Sequence, residues 1–172
     1  MEIKGEYRIA APREKVFAAL NDPEVLKACI PGCESLDKQS DTEMSAKVRL
    51  RIGPVSAAFS GKVTLSDIDP PNGYKITGEG QGGPAGFAKG GAMVTLADDG
   101  GNTNLSYTVD AQVGGKIAQV GARLIDGTAR KLSDEFFSKF MDSLKNSSVA
   151  FAVRSEEHTS ELQSRGLISY AV

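Results

Sequence analysis

Apolar and polar residues alternate along most of Thr42–Val113, the pattern of strands with one buried face. In Thr42–Ile52 the apolar set is Met44, Ala46, Val48, Leu50 and Ile52, opposed by Ser45, Lys47, Arg49 and Arg51. After Gly53-Pro54, Val55–Asp67 carries Val55, Ala57, Phe59, Gly61, Val63 and Leu65 on one face. Tyr74–Gln81 turns Tyr74, Ile76, Gly78 and Gly80 the same way, Ala88–Leu96 does so with Ala88, Gly90, Ala92, Val94 and Leu96, and Asn104–Val113 with Leu105, Tyr107, Val109, Ala111 and Val113. Pro70-Pro71-Asn72-Gly73 and Asp98–Asn102 read as the turns between them. Upstream, Glu2–Ala10 reads as a short strand. Pro12 suits the first turn of a helix with the stripe Val16, Phe17 and Leu20. Asn21-Asp22-Pro23 restarts a second short helix that ends before Ile30-Pro31-Gly32, and Glu34–Gln39 reads as an edge strand.

The period changes after Gly114-Gly115. From Lys116 to about Lys145 the stripe Ile117, Val120, Leu124, Thr128, Leu132, Phe136, Phe140, Leu144 recurs every three or four residues, as in an amphipathic helix. Such a helix is roughly 45 Å long at 1.5 Å per residue, enough to cross a sheet. Consecutive antiparallel strands with one apolar face need a cover on that face, and this helix is the element large enough to supply it. The expected architecture is α+β, a curved antiparallel sheet wrapped around a long C-terminal helix, with two short helices after the first strand. No internal repeat, linker or second domain interrupts it.

Seven glycines fall within the fifteen residues Thr77–Gly91, and three physical readings compete for them. Gly78, Gly80 and Gly83 have the spacing of a phosphate-binding loop, but that loop needs a helix opening at it, and Pro84, Gly86, Gly90 and Gly91 make poor helix. Glycines in strands also mark bends, and a sheet gripping a helix must curve. The third reading is volume: the inward positions Ala57, Gly61, Gly78, Gly80, Ala88, Gly90, Ala92 and Ala111 are all small. Either the helix sits close to the sheet, helped by Gly121 and Gly127, or Phe136, Phe137 and Phe140 hold it off and leave an apolar cavity. The cavity is the expectation, with its mouth near the glycine block, and apolar pockets with few polar groups are the usual form of small-molecule sites. Its expected lining is Phe59, Ile76, Gly78, Gly80, Ala88, Ala92, Tyr107, Val109, Ala111, Ile117, Val120 and Leu124. Tyr107 either donates a hydrogen bond to a ligand carbonyl or satisfies a core neighbour.

Charge and composition narrow the rest. Lys and Arg total 20 against 22 Asp and Glu, which argues against general nucleic-acid binding. No apolar run is long enough to span a bilayer, and no signal peptide is read at the start, so a soluble cytoplasmic protein is expected. Cys29 and Cys33 are separated by three residues, without further soft ligands, and are expected as a reduced, packed pair rather than a metal or redox centre. Lys47, Arg49, Arg51 and Lys62 form a basic stripe on the sheet's outer face. It is either simply solvated or docks an acidic partner or lipid headgroups. Glu79 and Lys89 fall on the same outward parity.

Arg154–Val172 matches neither the composition nor the periodicity of what precedes it. It resembles the translation of a common short-read sequencing adapter: RSEEHTSELQS at Arg154–Ser164 and ISYAV at Ile168–Val172 match its two arms in one reading frame. Read-through in assembly is the expectation, so 154–172 stands outside the fold reasoning. His158, the only histidine, lies within it. Histidine acid–base chemistry, histidine-assisted nucleophiles and most zinc and iron sites are therefore excluded from the remainder. No catalytic and no metal-ligating residue is assigned.

With these residues in place the chain resembles the G-subunit family of carbon monoxide dehydrogenase, within the START-like (SRPBCC) helix-grip superfamily. The motifs are IPGCESL at Ile30–Leu36, IGPVSAAFSGKVTL at Ile52–Leu65, GEGQGGPAGFAKGGAMVTL at Gly78–Leu96 and AQVGGKIAQVGARLID at Ala111–Asp126. The resemblance implies seven strands around the final helix, with a deep apolar cavity, over a domain of residues 1–146 followed by a short tail, 147–153. It implies a non-enzymatic accessory protein of a molybdenum-containing carbon monoxide dehydrogenase-like hydroxylase, with no cofactor of its own beyond a bound quinone or other apolar ligand. It also implies peripheral contact with the inner face of the cell membrane. The alternatives it leaves are a recruitment or maturation adaptor without ligand transport, and a cyclase- or hydratase-like enzyme.

Overall fold

The computed structural model describes residues 2–157, with side chains through 145. Strand β1 (Glu2–Ile9) is followed by helices α1 (Arg13–Leu20) and α2 (Pro23–Cys29), then by strands β2 (Cys33–Lys38), β3 (Glu43–Ile52), β4 (Val55–Asp69) and β5 (Gly73–Gln81). A single 3-10 turn at Gly83–Ala85 leads to β6 (Phe87–Asp99) and β7 (Asn102–Gly114), a one-turn helix α3 (Lys116–Gln119) and the long helix α4 (Ala122–Glu157). The strands form one seven-stranded sheet in the order β1-β7-β6-β5-β4-β3-β2, each pair antiparallel. This is the helix-grip arrangement: a curved open sheet, two short helices at one end, and a long helix packed on α2, β1 and β3.

Local chemistry explains the short helices. Pro12 precedes α1 in extended conformation, and Val16 and Leu20 bury its inner side. Asp22 caps α2 by accepting from the Glu24 amide at 3.0 Å, with Pro23 in the first turn. Thr103, fully buried on β7, donates its hydroxyl to the Ala11 carbonyl at 2.7 Å and ties the helical segment to the sheet.

Register places the inward residues in rows across the sheet. Tyr74, Val94, Tyr107 and Gly5 form one row, and Leu65, Ile76, Ala92, Val109 and Ile3 the next. Then come Val63, Gly78, Gly90 and Ala111, followed by Ala46, Gly61, Gly80, Ala88 and Val113. Side-chain bulk therefore drops to almost nothing in the middle of the inner face. On one side of these bare rows lies the main core, where Val16, Leu20, Leu96 and Leu105 meet Phe137, Phe140 and Leu144 of α4. On the other side a separate cluster gathers Phe59, Ala85 and Ile117, with Leu50, Ile52 and Val113 against it.

The final helix departs from expectation in two ways. It is not continuous from Lys116, because Gly121 takes φ +101° between α3 and α4; L-residues with side chains rarely adopt that conformation. The break resets the helical phase, so the buried position in the first turns of α4 is Ile125, while Leu124 is 41 % exposed. The helix also runs past Lys145 to Glu157. Of the segment read as adapter-derived, 154–157 are the last residues of α4, and 158–172, including His158, lie outside the described residues.

Candidate functional site

The bare rows form the floor of a hollow of about 330 Å³ on the inner face. Seven of the residues expected to line a cavity line it: Ile76, Gly78, Gly80, Ala88, Ala92, Val109 and Ala111, joined by Val63, Gly90 and Gly91 and by Lys62, Glu79 and Lys89 of the outward parity. The other five are elsewhere. Phe59 and Ile117 belong to the small cluster beyond one end of the floor. Tyr107 stands one row beyond the other end, packed against the main core. Val120 and Leu124 sit over the β3–β4 turn, where a Cβ placed on Gly53 would meet Leu124 Cδ2 at 2.6 Å and Val120 Cγ1 at 4.0 Å. Leu124 is thus a surface residue at the end of the molecule and not part of the hollow.

The glycines of the run divide between the two readings that remain once the phosphate loop is set aside. At Gly90 an added Cβ would lie 2.2 Å from the Asp110 carbonyl oxygen and 2.8 Å from Ala111 Cα. Only a missing side chain lets β7 approach so closely, and this is the bending role. At Gly80 an added Cβ would meet nothing nearer than 3.9 Å, and this is open volume. Gly78 is intermediate, with the Lys62 carbonyl oxygen at 3.2 Å. No helix opens at Gly83, since only the short turn Gly83–Ala85 follows.

Aromatic rings lie directly on glycines at both ends of the floor. A Cβ on Gly5 would strike the Tyr107 ring at 2.5 Å, and one on Gly82 the Phe59 ring at 2.4 Å. Next to Tyr107, Tyr7 stacks on Phe137 with centroids 4.3 Å apart, and Tyr107 lies 5.9 Å from the same ring. The Tyr7 hydroxyl donates to Asp134 Oδ1 on α4. Burial, and then the Asp134 carboxylate, push the Tyr7 hydroxyl well above its ordinary pKa, so it keeps its proton at neutral pH and acts as a donor. The sequence pattern does not single out Tyr7, Asp134 or Phe137 as a site. Tyr7 is legible from the inward parity Ile3, Gly5, Tyr7, Ile9, but its pairing with Asp134 spans 127 positions and leaves no local signal.

A larger hollow, about 940 Å³, lies on the opposite, outward face of the same strands. Its walls are Lys75, Thr77, Glu79, Lys89, Thr108, Asp110 and Gln112 around Gly91. Polar side chains rim it, but its lining is mostly apolar and includes exposed Met93. In the basic stripe Arg49 is neutralised by Glu34 at 3.2 Å, while Arg51 donates to the Gly53 carbonyl at 3.3 Å and keeps its net charge. Lys47 and Lys62 share a further outward hollow of about 470 Å³ with Ser35, Ser45 and Ser60. Cys29 is buried and Cys33 half-buried, both as free thiols, and burial pushes both upward in pKa. Among the described residues no group of His, Cys, Asp and Glu could hold a metal ion, and no helix is long and apolar enough to cross a membrane.

Comparison with known proteins gives a consistent fold. The family model for CoxG, the G-subunit of carbon monoxide dehydrogenase, matches residues 5–145. A conserved protein from Geobacillus kaustophilus is 32% identical, with a TM-score of 0.81, the match covering 86% of this chain and 97% of that one. The Zhui aromatase/cyclase from a Streptomyces species superposes with a TM-score of 0.63 at 12% identity, over 84% of this chain and 93% of its own. Ara h 8.0201 does so with a TM-score of 0.62 at 15% identity, over 85% and 98%. At that identity the last two show a shared helix-grip fold and nothing more. A comparison with curated protein sequences gives no match.

Proposed function

Because the chain belongs to the CoxG family of carbon monoxide dehydrogenase, we propose that it is a non-catalytic accessory protein of a molybdenum-containing dehydrogenase of that kind, and that it holds an apolar ligand, a quinone or a lipid. The observation that carries this reading is the row of missing side chains between two hydrophobic clusters. A stretch of inner face that buries nothing of its own leaves apolar area to be covered by something else, at about 25 cal/mol per Å². The hollow's 330 Å³ falls at the small end of ligand pockets, enough for a flat ring or a length of isoprenoid chain. Tyr107 beside Tyr7 and Phe137 offers an aromatic end wall, with the Tyr107 hydroxyl for a ring oxygen while the Tyr7 proton is held by Asp134. Catalysis is not proposed, because a tyrosine pushed upward by burial and by Asp134 is a poor base near neutral pH. The protein works in the cytoplasm, at the inner face of the cell membrane.

The test is extraction of the purified protein with organic solvent, mass spectrometry of the extract, and titration of the emptied protein with a short-chain quinone. An isoprenoid or lipid in the extract and saturable quinone binding are expected, with binding lost in a folded Gly80→Leu variant. An empty extract together with no saturable binding would sink the reading. A docking adaptor is the second reading, favoured by Lys47 and Lys62 beside three serines on the outward face. In that case Lys47→Glu with Lys62→Glu abolishes association with the dehydrogenase, and Gly80→Leu leaves it intact.

A further inference from the structure

The outward face of the sheet carries a pattern of its own. Met93, on β6, is the most exposed large apolar side chain among the described residues, at 49 %. Two residues before it on the same face is Gly91, where an added Cβ would meet only the Ile76 carbonyl oxygen, at 3.3 Å. A knob and a bare recess therefore stand next to each other on one strand, and the outward hollow of about 940 Å³ is lined by both. Charge alternates from row to row across this face. The row through Met93 runs Ser66, Lys75, Met93, Thr108, Lys4, and its charges are all basic. The row through Gly91 runs Glu43, Thr64, Thr77, Gly91, Asp110, Glu2, and its charges are all acidic. Beyond Met93 the next row holds Glu6, and beyond Gly91 the next holds Lys62 and Lys89 around Glu79.

We propose that this face is the contact between two copies of the chain, packed face to face about a two-fold axis that runs along the rows between Met93 and Gly91. Such an axis sets Met93 of each copy over Gly91 of the other. It also lays the basic row of each copy on the acidic row of the other, with Lys4 over Glu2, and the Glu6 row on the row of Lys62 and Lys89. A single exposed apolar side chain is ordinary. A two-fold contact, however, requires one surface to carry both halves of every complementary pair, and here knob with recess and basic with acidic row repeat about the same line. Stacked sheets lie about 10 Å apart, a gap that Met93 fills where the residue facing it has no side chain. Five strands about 4.8 Å apart and four rows about 6.8 Å apart cover about 650 Å² on each copy. The pair then buries about 1,300 Å², at the low end for a specific interface. The contact lies on the face opposite the inner hollow and does not depend on what fills it.

Sedimentation velocity of the full chain over a range of concentrations tests it. A monomer–dimer equilibrium is expected, with a dissociation constant of about 1–100 µM for an interface of this size. Met93→Lys alters both knobs at once and should weaken dimerisation at least about tenfold. Lys75 is already shared with Asp67 at 3.3 Å, so the charge test falls on Lys4 and Glu2. Lys4→Glu sets like charges against each other and should weaken the dimer about fivefold, and adding Glu2→Lys should restore it to within about twofold. Leu124→Ser, at an exposed apolar side chain away from this face, should change it less than about twofold. Circular dichroism should show every variant folded. A dimer indifferent to Met93→Lys, or weakened more by Leu124→Ser, would overturn the proposal by placing the contact elsewhere. A charge swap that does not restore association would overturn the two-fold register. A monomer at every concentration would overturn the proposal outright and leave a protein of different sequence as the occupant of this face.

Discussion

One substitution made at two glycines separates the two physical reasons for their presence. At Gly80 an alanine methyl would meet Phe59 Cβ and the Ser60 carbonyl oxygen, both at 3.9 Å, which is ordinary contact. Replacing glycine there restricts the unfolded chain and gains about 0.4–1 kcal/mol, and half-burying one methyl adds about 0.4 kcal/mol more. At Gly90 the same methyl would be driven to 2.2 Å from the Asp110 carbonyl oxygen, a backbone atom of the ladder that cannot swing away. Overpacking of this kind costs about 1–3 kcal/mol, and the distorted β6–β7 pairing adds to it. Gly80→Ala is therefore expected to be more stable than the parent by about 1 kcal/mol, and Gly90→Ala less stable by about 1–3 kcal/mol. Urea unfolding followed by circular dichroism resolves a gap of that size, since extrapolation errors are about 10–15%. Thermal melts should move in opposite directions by about 2–4 °C per kcal/mol. A Gly90→Ala protein as stable as the parent would show that strand approach does not require that glycine. A Gly80→Ala protein losing more than about 1 kcal/mol would show that the space above Gly80 does not exist.

The helix break gives a second contrast: Ile125→Ala should cost about 2 kcal/mol or more as a buried truncation, and exposed Leu124→Ala less than about 0.5 kcal/mol, both read from urea midpoints. Alkaline stability gives a third. Tyr7 and Tyr74 have hydroxyls raised in the folded state, Tyr74 by burial, so their contribution is complete below the ordinary value of 10.0 and is lost as pH rises beyond it. Unfolding free energy should fall steeply above about pH 10, and the slope should flatten in Tyr74→Phe; an unchanged slope in that variant would refute the assignment. Finally, we propose that 154–172 is not native sequence, and a chain ending at Val153 should keep its melting temperature within about 1 °C, because both described core clusters are built from residues no later than Leu144. Genomic DNA carrying the same codons would refute that origin.

Alternation makes the inner face legible before any coordinates. Every strand from Met44 to Val113 turns the expected residues inward, because a period of two leaves one register that hides Leu65, Tyr74, Val94 and Leu105 together. What alternation cannot do is distinguish Gly80 from Gly90. Both are inward glycines in the same run, and only the distance to the next strand separates open space from enforced contact. The end of the floor escapes the sequence for a related reason. Ile117, Val120 and Leu124 continue the stripe of α4 at helical spacing, so the sequence reads as one helix. The positive φ of Gly121 breaks it and turns Leu124 outward. Tyr7 and Phe137 meet across the whole chain, and no short-range pattern encodes that contact.

The bare floor has a consequence for selectivity. At Gly78 and Gly80 an occupant would touch peptide backbone whose donors and acceptors already serve the ladder. Such a surface has no spare polarity with which to tell one functional group from another. On the proposed reading it would act as a gauge, admitting what is flat and slim enough and indifferent to substituents that do not thicken the molecule. Discrimination by chemistry then falls to the two aromatic ends, Tyr107 with Tyr7 and Phe59 with Ile117, whose separation measures length. Ligands differing in tail saturation should be treated alike, and ligands differing in tail length should not.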